Sequence, residues 1–355
     1  DVYKRQASKT LLADLGIDLS RFESAYDYDF FRRNGLGGAT FFNKEDWGRD
    51  QLLHYDLGAL GIYLPLAPPG LTPAEAVLQM PLSDAARVEL LKLLTVDKDA
   101  MPGISAEAKE TYLYSISYRT FLEKHLGISE AEVFAALQNL SPDSGVGIDR
   151  ASAGTAIIYS GLPGFGATGL PDIEEPPYIH HFPDGNASIA RLMVRRMIPG
   201  VAPGSTMEDI VTAPFDYGEL DRPESAVRLR LNSTVSGVKH KGDPGTSNTV
   251  RVDYVQAGKT IQVQARACVL ACNNSMIPHI TPGLPESQTE ALSGQVRTPI
   301  LYTNVALGNW RAWKKLGIGA VSAPNGYHVN GMLDFPVSLG GYAFARPGGY
   351  LTRAG

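Results

Sequence analysis

The sequence predicts an α/β fold with an α+β part, in which a piece of parallel sheet and an attached β-meander are interleaved with a mostly helical region. Three observations predict it. Thr249 to Val255 and Thr260 to Ala265 alternate apolar and polar residues and are joined through Ala257-Gly258-Lys259, the pattern of a hairpin. Ala267-Cys268-Val269-Leu270-Ala271-Cys272 is a continuous apolar run closed by Asn273-Asn274, as expected of a strand covered on both faces in a parallel sheet. Most of the chain before residue 180 carries capped helical patterns instead. Together these read as an incomplete Rossmann-like domain interleaved with a mostly helical one.

In chain order, Asp1-Val2-Tyr3-Lys4-Arg5-Gln6 matches the translation of a transposon end used in sequencing libraries, and residues 1–6 are set apart from the fold. Thr72-Pro73-Ala74-Glu75 has an N-cap, Pro at the first helical position and Glu at the third. Ser83 to Val96 and Ala106 to Leu126 read as helices, the second carrying Tyr112, Tyr114, Tyr118 and Phe121. Ser129-Glu130-Ala131-Glu132 repeats the capping pattern. Residues 7–180 are therefore expected to be a helical cap or substrate region. Thr155 to Tyr159 could form a short strand, and Gly164-Phe165-Gly166-Ala167-Thr168-Gly169 then matches G-x-G-x-x-G. The prolines at 171, 176 and 177 leave no helix to follow it, so it is not read as a phosphate loop.

Gly185 predicts a tight turn opening a helix that carries Ile189, Leu192, Met193 and Arg196 at helical spacing. Val227 to Leu231 alternates apolar and charged residues and reads as a half-buried strand leading to Asn232-Ser233-Thr234-Val235. A turn at Gly242-Asp243-Pro244-Gly245 enters the meander. Residues 181–275 are assigned to the sheet domain and 276–355 to a truncated substrate part. Cys268 and Cys272, on one extended strand, would lie about 13 Å apart, beyond disulfide reach, and are read as buried apolar thiols.

A half-buried strand, a meander, then a fully buried strand ending in small residues resembles the second flavin-contacting segment of the flavin-containing amine oxidase and phytoene desaturase superfamily. Leu170 to Pro176, His180 to Arg191, Tyr302 to Leu307 with Trp310-Arg311-Ala312-Trp313, Leu15 to Asp18, and Phe30 to Phe42 are similar more narrowly to bacterial spermidine dehydrogenases. The resemblance implies an FAD/NAD(P)-binding type of domain holding FAD, and oxidation of an amine by hydride transfer to flavin N5. It places Val235 beside the adenine and Ala271, with Cys272 and Asn273, beside the pyrophosphate, although relatives often have Pro where this chain has Asn273. It likens Phe182 to Leu192 to the superfamily's Pro-x-Gly-Gly loop, with Asn186 in place of the second Gly. The superfamily's glycine-rich FAD motif is expected to precede the first residue given, and a further flavin-contacting segment to follow the last.

For a polyamine substrate, carboxylates would meet the distal ammonium groups and aromatic faces the methylene chain. The candidates are His181, Asp184, Gly185 and Asn186, with Asp172, Glu174, Glu175, Tyr112 and Tyr118 beyond them. Many amine oxidases carry a Lys near N5. Here Gln295 to Ile300 contains none, and no catalytic residue is assigned.

The remaining features exclude classes of function. A net charge of −5 leaves no basic footprint for nucleic acid. No run of about 18 apolar residues exists to span a membrane, and no Cys or His spacing suits a metal. Compartment stays open between periplasm and cytoplasm, and neither a haem partner nor the electron acceptor can be read. Two alternatives to amine oxidation stay open: a desaturase-like FAD enzyme with an apolar substrate, and a non-catalytic domain of the same fold.

Overall fold

The computed structural model describes residues 6–62, 64–141, 144–171, 180–295, 297–334 and 336–344. Helices and sheets are mixed, as an α/β reading requires. Among the described residues the strands are β1 (Gly37–Phe42), β2 (Gln51–Leu53), β3 (Ser233–His240), β4 (Val250–Gln256), β5 (Lys259–Ala265), β6 (Ile318–Ser322) and β7 (Asn330–Met332). The chain divides into two units. The first comprises Asp1–Ala190, Ser205–Thr212 and Pro299–Gly355, and the second Arg191–Gly204 and Ala213–Thr298.

In the first unit a four-stranded sheet runs in the order β2-β1-β6-β7. Its centre is the parallel pair β1 and β6, with Gly38 opposite Ala320 and Thr40 opposite Ser322, while β2 and β7 add antiparallel edges. A parallel pair needs cover on both faces, and Ala39, Thr40, Phe42, Ala320 and Ser322 are all fully buried. Thr40 stays satisfied there: its hydroxyl donates to the Tyr55 carbonyl at 2.7 Å and accepts the Leu57 N–H at 3.1 Å. These strands give the region before residue 180 a sheet component beside its helices. Phe30, Phe31, Leu36, Leu64 and Leu333 pack on this sheet with Trp310 and Trp313 at the rim.

The helical part forms one core that includes Leu90, Leu113, Phe121, Leu122, Val133 and Leu137. Its starts follow from capping. Thr72 and Glu75 close a reciprocal capping box before the helix Pro73–Gln79, and Ser83 caps Asp84–Thr95. The stretch Ala106 to Leu126 is two helices, Ala106–Ser115 and Tyr118–Leu126. Ile116 and Ser117 adopt extended angles between them, and Ser117 caps the second helix, its hydroxyl accepting the Thr120 N–H at 3.1 Å. At Ser129 no capping box forms. Glu89 instead takes the Ser129 N–H, the Ser129 hydroxyl and the Glu130 N–H, each at 2.8 Å, and Glu132 takes the Ser83 N–H at 2.6 Å. Thr155–Tyr159 is a turn of π-helix, not a strand. Gly166 is a packing glycine, since a Cβ there would sit 2.2 Å from the Val96 carbonyl oxygen.

In the second unit β3, β4 and β5 form an antiparallel meander. The expected hairpin is present: Ala257 and Gly258 both have positive φ (48° and 73°), the two-residue turn whose twist matches the flanking strands. Val227 to Leu231 is not a strand. The Leu229 N–H bonds the Leu220 carbonyl at 2.7 Å, and Asp221 takes both Arg228 and Arg230, so the alternating charges fold back on one carboxylate. Strand geometry begins at Ser233, after Asn232 at φ 52°.

The segment 267–272 corrects the sequence reading most. It is irregular and exposed, with Val269 at 88 % of its full accessibility and both cysteines at the surface. A parallel strand is held by ladders on its flanks, and among the described residues no strand pairs with this run. The backbone bond it makes among the described residues is local, Ala271 N–H to the Val269 carbonyl at 3.1 Å. Cys268 and Cys272 are therefore solvent-facing thiols. Both should react with a disulfide reagent in the native chain at rates close to those in denaturant, as followed by thiolate release. Protection of both thiols until unfolding would contradict this placement.

Candidate functional site

In the first unit the chain brings two distant segments, Phe22 to Tyr28 and His180 to Ser188, into one aromatic cluster. Phe22 lies in the helix Ser20–Ala25, and Tyr26, its extended C-cap four residues on, donates its backbone N–H to the Phe22 carbonyl. Phe22 packs edge-on to Phe182 with centroids 5.1 Å apart and stacks on His180 at 5.8 Å. Tyr26 meets His180 at 5.1 Å, His181 edge-on at 5.7 Å and Tyr28 at 5.9 Å. Phe22, Tyr26 and Phe182 are buried, whereas Tyr28 is 37 % exposed and His180 half-buried, so the outer part of the cluster faces solvent.

The Tyr26 hydroxyl holds the loop. It accepts the His181 N–H at 2.6 Å and donates to the carbonyl of the same residue at 2.8 Å. Tyr26 itself is fixed on the other side by a bridge to Val337, through Asp27 N–H to the Pro336 carbonyl and Ser338 N–H to the Ala25 carbonyl, both 2.8 Å. Burial pushes the Tyr26 hydroxyl far above its ordinary value, with the nearby Asp334 carboxylate adding to it, so the group stays protonated and available as a donor. The Tyr28 hydroxyl lies 2.6 Å from His180 Nε2 and is raised by burial and then by Glu23. Burial holds His180 below its usual value, with Glu23 opposing and His181 reinforcing, which favours the neutral ring. The aromatic and neutral imidazole faces lie within the electrostatic reach of the Glu23 and Asp334 carboxylates, a combination whose chemistry suits an organic cation.

The other residues singled out in the sequence fall as follows. The His181 side chain turns back on its own segment, with Nδ1 2.7 Å from the Phe182 carbonyl. Asp184 is exposed and accepts the hydroxyl of buried Ser188 at 2.6 Å, Gly185 makes the tight turn at φ 68°, and Asn186 is exposed at the entry to the helix Ala187–Met197. Asp172, Glu174 and Glu175 lie outside the described residues. Tyr118 is core: it is fully buried and donates to the Pro163 carbonyl at 2.7 Å, so it offers no face to a substrate. Sequence reasoning passes over Phe22, Tyr26 and Tyr28, and the four-residue spacing of Phe22, Tyr26 and Phe30 is the signal that marks the first two.

On the cofactor side, Val235 sits on β3 opposite Tyr254, beside the bulge at Ser236, and is 40 % exposed. Ala271 and Cys272 lie in the exposed irregular segment, and the Asn273 side chain accepts the Ser275 N–H at 3.1 Å to start a short turn. The helix Ile277–Ile280 that follows packs on β3, so these residues occupy neighbouring parts of the second unit. All four are exposed on the second unit. Among the described residues no strand runs through a glycine turn into a helix, and Gly166 of the G-x-G-x-x-G stretch is filled by the chain's own backbone. No group of three metal-ligating side chains occurs among the described residues, and no helix there is long and apolar enough to cross a membrane. No protein-family model and no curated protein matches this chain.

Tyr26→Phe removes one partner from two backbone groups and should cost about 1–3 kcal/mol. Urea unfolding measures the loss, and amide exchange should show it concentrated at 180–186. A stability within error of the parent would argue against the clamp. His180 supplies a pH dependence. A histidine whose folded-state value lies below its unfolded one binds fewer protons when folded, so its contribution is complete above 6.5 and is lost as pH falls below it. Exchange protection of the loop should therefore weaken below pH 6.5, and an NMR midpoint for His180 above 6.5 would reverse the sign.

Proposed function

We propose that this chain is the amine-recognising part of an FAD-dependent oxidoreductase that oxidises spermidine or a related polyamine. The observation that carries the reading is the aromatic and histidine cluster within the electrostatic reach of Glu23 and Asp334. A polyamine presents alternating ammonium groups and short methylene chains, which match carboxylates and ring faces in turn. The resemblance of His180 to Arg191 and of Trp310 to Trp313 to spermidine dehydrogenases supports the same substrate class and brings FAD with it. FAD would accept the electrons. The described residues contribute recognition: Glu23 and Asp334 attract the cation, Tyr28 and His180 pack along its chain, and Tyr26 fixes the loop that carries His180.

A second reading rests on a different feature. A groove of about 490 Å3 in the first unit is lined by Phe41, Leu52, Leu316, Ile318, Val321, Ala323, His328 and Gly331, almost wholly apolar. It favours an apolar substrate for the same enzyme class. Calorimetric titration of the chain with spermidine and with a neutral hydrocarbon analogue separates the two. Under the amine reading spermidine binds, Tyr28→Ala and Glu23→Gln each weaken it by about 2- to 20-fold, and added salt weakens it further. Binding of the analogue alone, with both variants silent, supports the second reading instead.

A further inference from the structure

Away from this cluster, the two halves of the broken helical stretch meet at a trio that neither reading uses. Tyr112 lies on the helix Ala106–Ser115, and Lys124 and His125 are consecutive on Tyr118–Leu126. The Tyr112 hydroxyl is 3.0 Å from His125 Nε2 and accepts a hydrogen bond from Lys124 Nζ, also at 3.0 Å. The Lys124 ammonium lies 5.5 Å from the Tyr112 ring centroid, and the two rings meet edge-on at 5.6 Å. Tyr112 and His125 are half-buried, and Lys124 is exposed.

Each partner has a definite part in this geometry. The short contact between Tyr112 Oη and His125 Nε2 lets the phenol donate to an imidazole whose Nε2 is unprotonated. In that arrangement Nε2 accepts from the phenol, and a neutral imidazole so placed serves as a base. Burial, and after it the Lys124 charge, hold His125 below its usual value and favour the neutral ring. Phe121, 5.5 Å from the imidazole, limits its motion. A hydroxyl with a base on one side and a fixed cation on the other is the arrangement that activates oxygen nucleophiles.

We propose that Tyr112, Lys124 and His125 form a nucleophile site at which the Tyr112 hydroxyl is O-acylated by activated acyl donors. Tyr112 Oη forms a bond to the acyl carbon, and the bond from that carbon to its leaving group breaks, the electron pair departing with the leaving group. The phenolic proton passes to His125 Nε2 and from there to the leaving group. The Lys124 ammonium balances the charge that develops on the phenolic oxygen as the proton leaves. No electrons are exchanged with a redox partner.

The test is site-resolved acetylation of the native full chain with N-acetylimidazole, read by peptide mass spectrometry. Tyr217 and Tyr327, 68 % and 86 % exposed, serve as unassisted references. Tyr112 is expected to react about tenfold faster than either despite its partial burial, giving an ester that hydroxylamine removes. Its rate should rise through the His125 ionisation below 6.5 and then level, while the references keep climbing toward about pH 10. Lys124→Met and His125→Gln should bring Tyr112 down to the reference rate. If His125→Gln does not fold, the exposed Lys124 variant and the pH profile of the unsubstituted chain decide. Acetylation of Tyr112 no faster than of Tyr217, or unchanged by Lys124→Met, overturns the proposal.

Discussion

The candidate site depends on one hydroxyl. Tyr26 Oη accepts from the N–H and donates to the carbonyl of a single residue, His181, and so fixes the peptide on which both histidines are carried. A buried backbone group must find a partner, and satisfying two of them with one side chain ties loop 180–186 to the end of the helix Ser20–Ala25. Because the backbone at Tyr26 also bridges to Val337, three stretches far apart in sequence meet at this residue. The rings of Phe22, Tyr28, His180 and Phe182 pack around that anchor, and their positions follow from it.

The electrostatics follow from the same packing. Burial works against charge on His180 and keeps the Tyr26 and Tyr28 hydroxyls protonated, so the centre of the cluster is neutral while the Glu23 and Asp334 carboxylates act on it electrostatically. A neutral aromatic floor in the field of carboxylates is chemistry suited to a cation. In the trio at Tyr112, the ammonium and the imidazole both bond the same phenolic oxygen, and the contrast in charge separates the chemistry of the two places.

Much of the local structure was legible because it rests on short-range rules. The box at Thr72 and Glu75, the Ser83 cap, the Ala257-Gly258 turn and the helix carrying Ile189, Leu192, Met193 and Arg196 each depend on residues a few positions apart. The failures are non-local. The parallel pair joins Gly37–Phe42 to Ile318–Ser322, and nothing in either segment names the other. The apolar run at 267–272 looked like a buried strand, but composition implies burial only where a neighbour exists to cover it. Ala106 to Leu126 kept one helical pattern across Ser117, whose hydroxyl caps the second helix. At the site, His181 was singled out for its side chain, while the structure uses its peptide. The aromatic partners came from residues 22–28, which no glycine motif or charge pattern flagged.

The central claim is that the cluster around His180 and Tyr28 receives an organic cation. Site-resolved NMR of the histidine and tyrosine ring signals during a spermidine titration tests it most directly. The account predicts saturable shifts at His180 and Tyr28 with little change at His125 and His328. Silence at His180 and Tyr28, or equal shifts at all four residues, would contradict it.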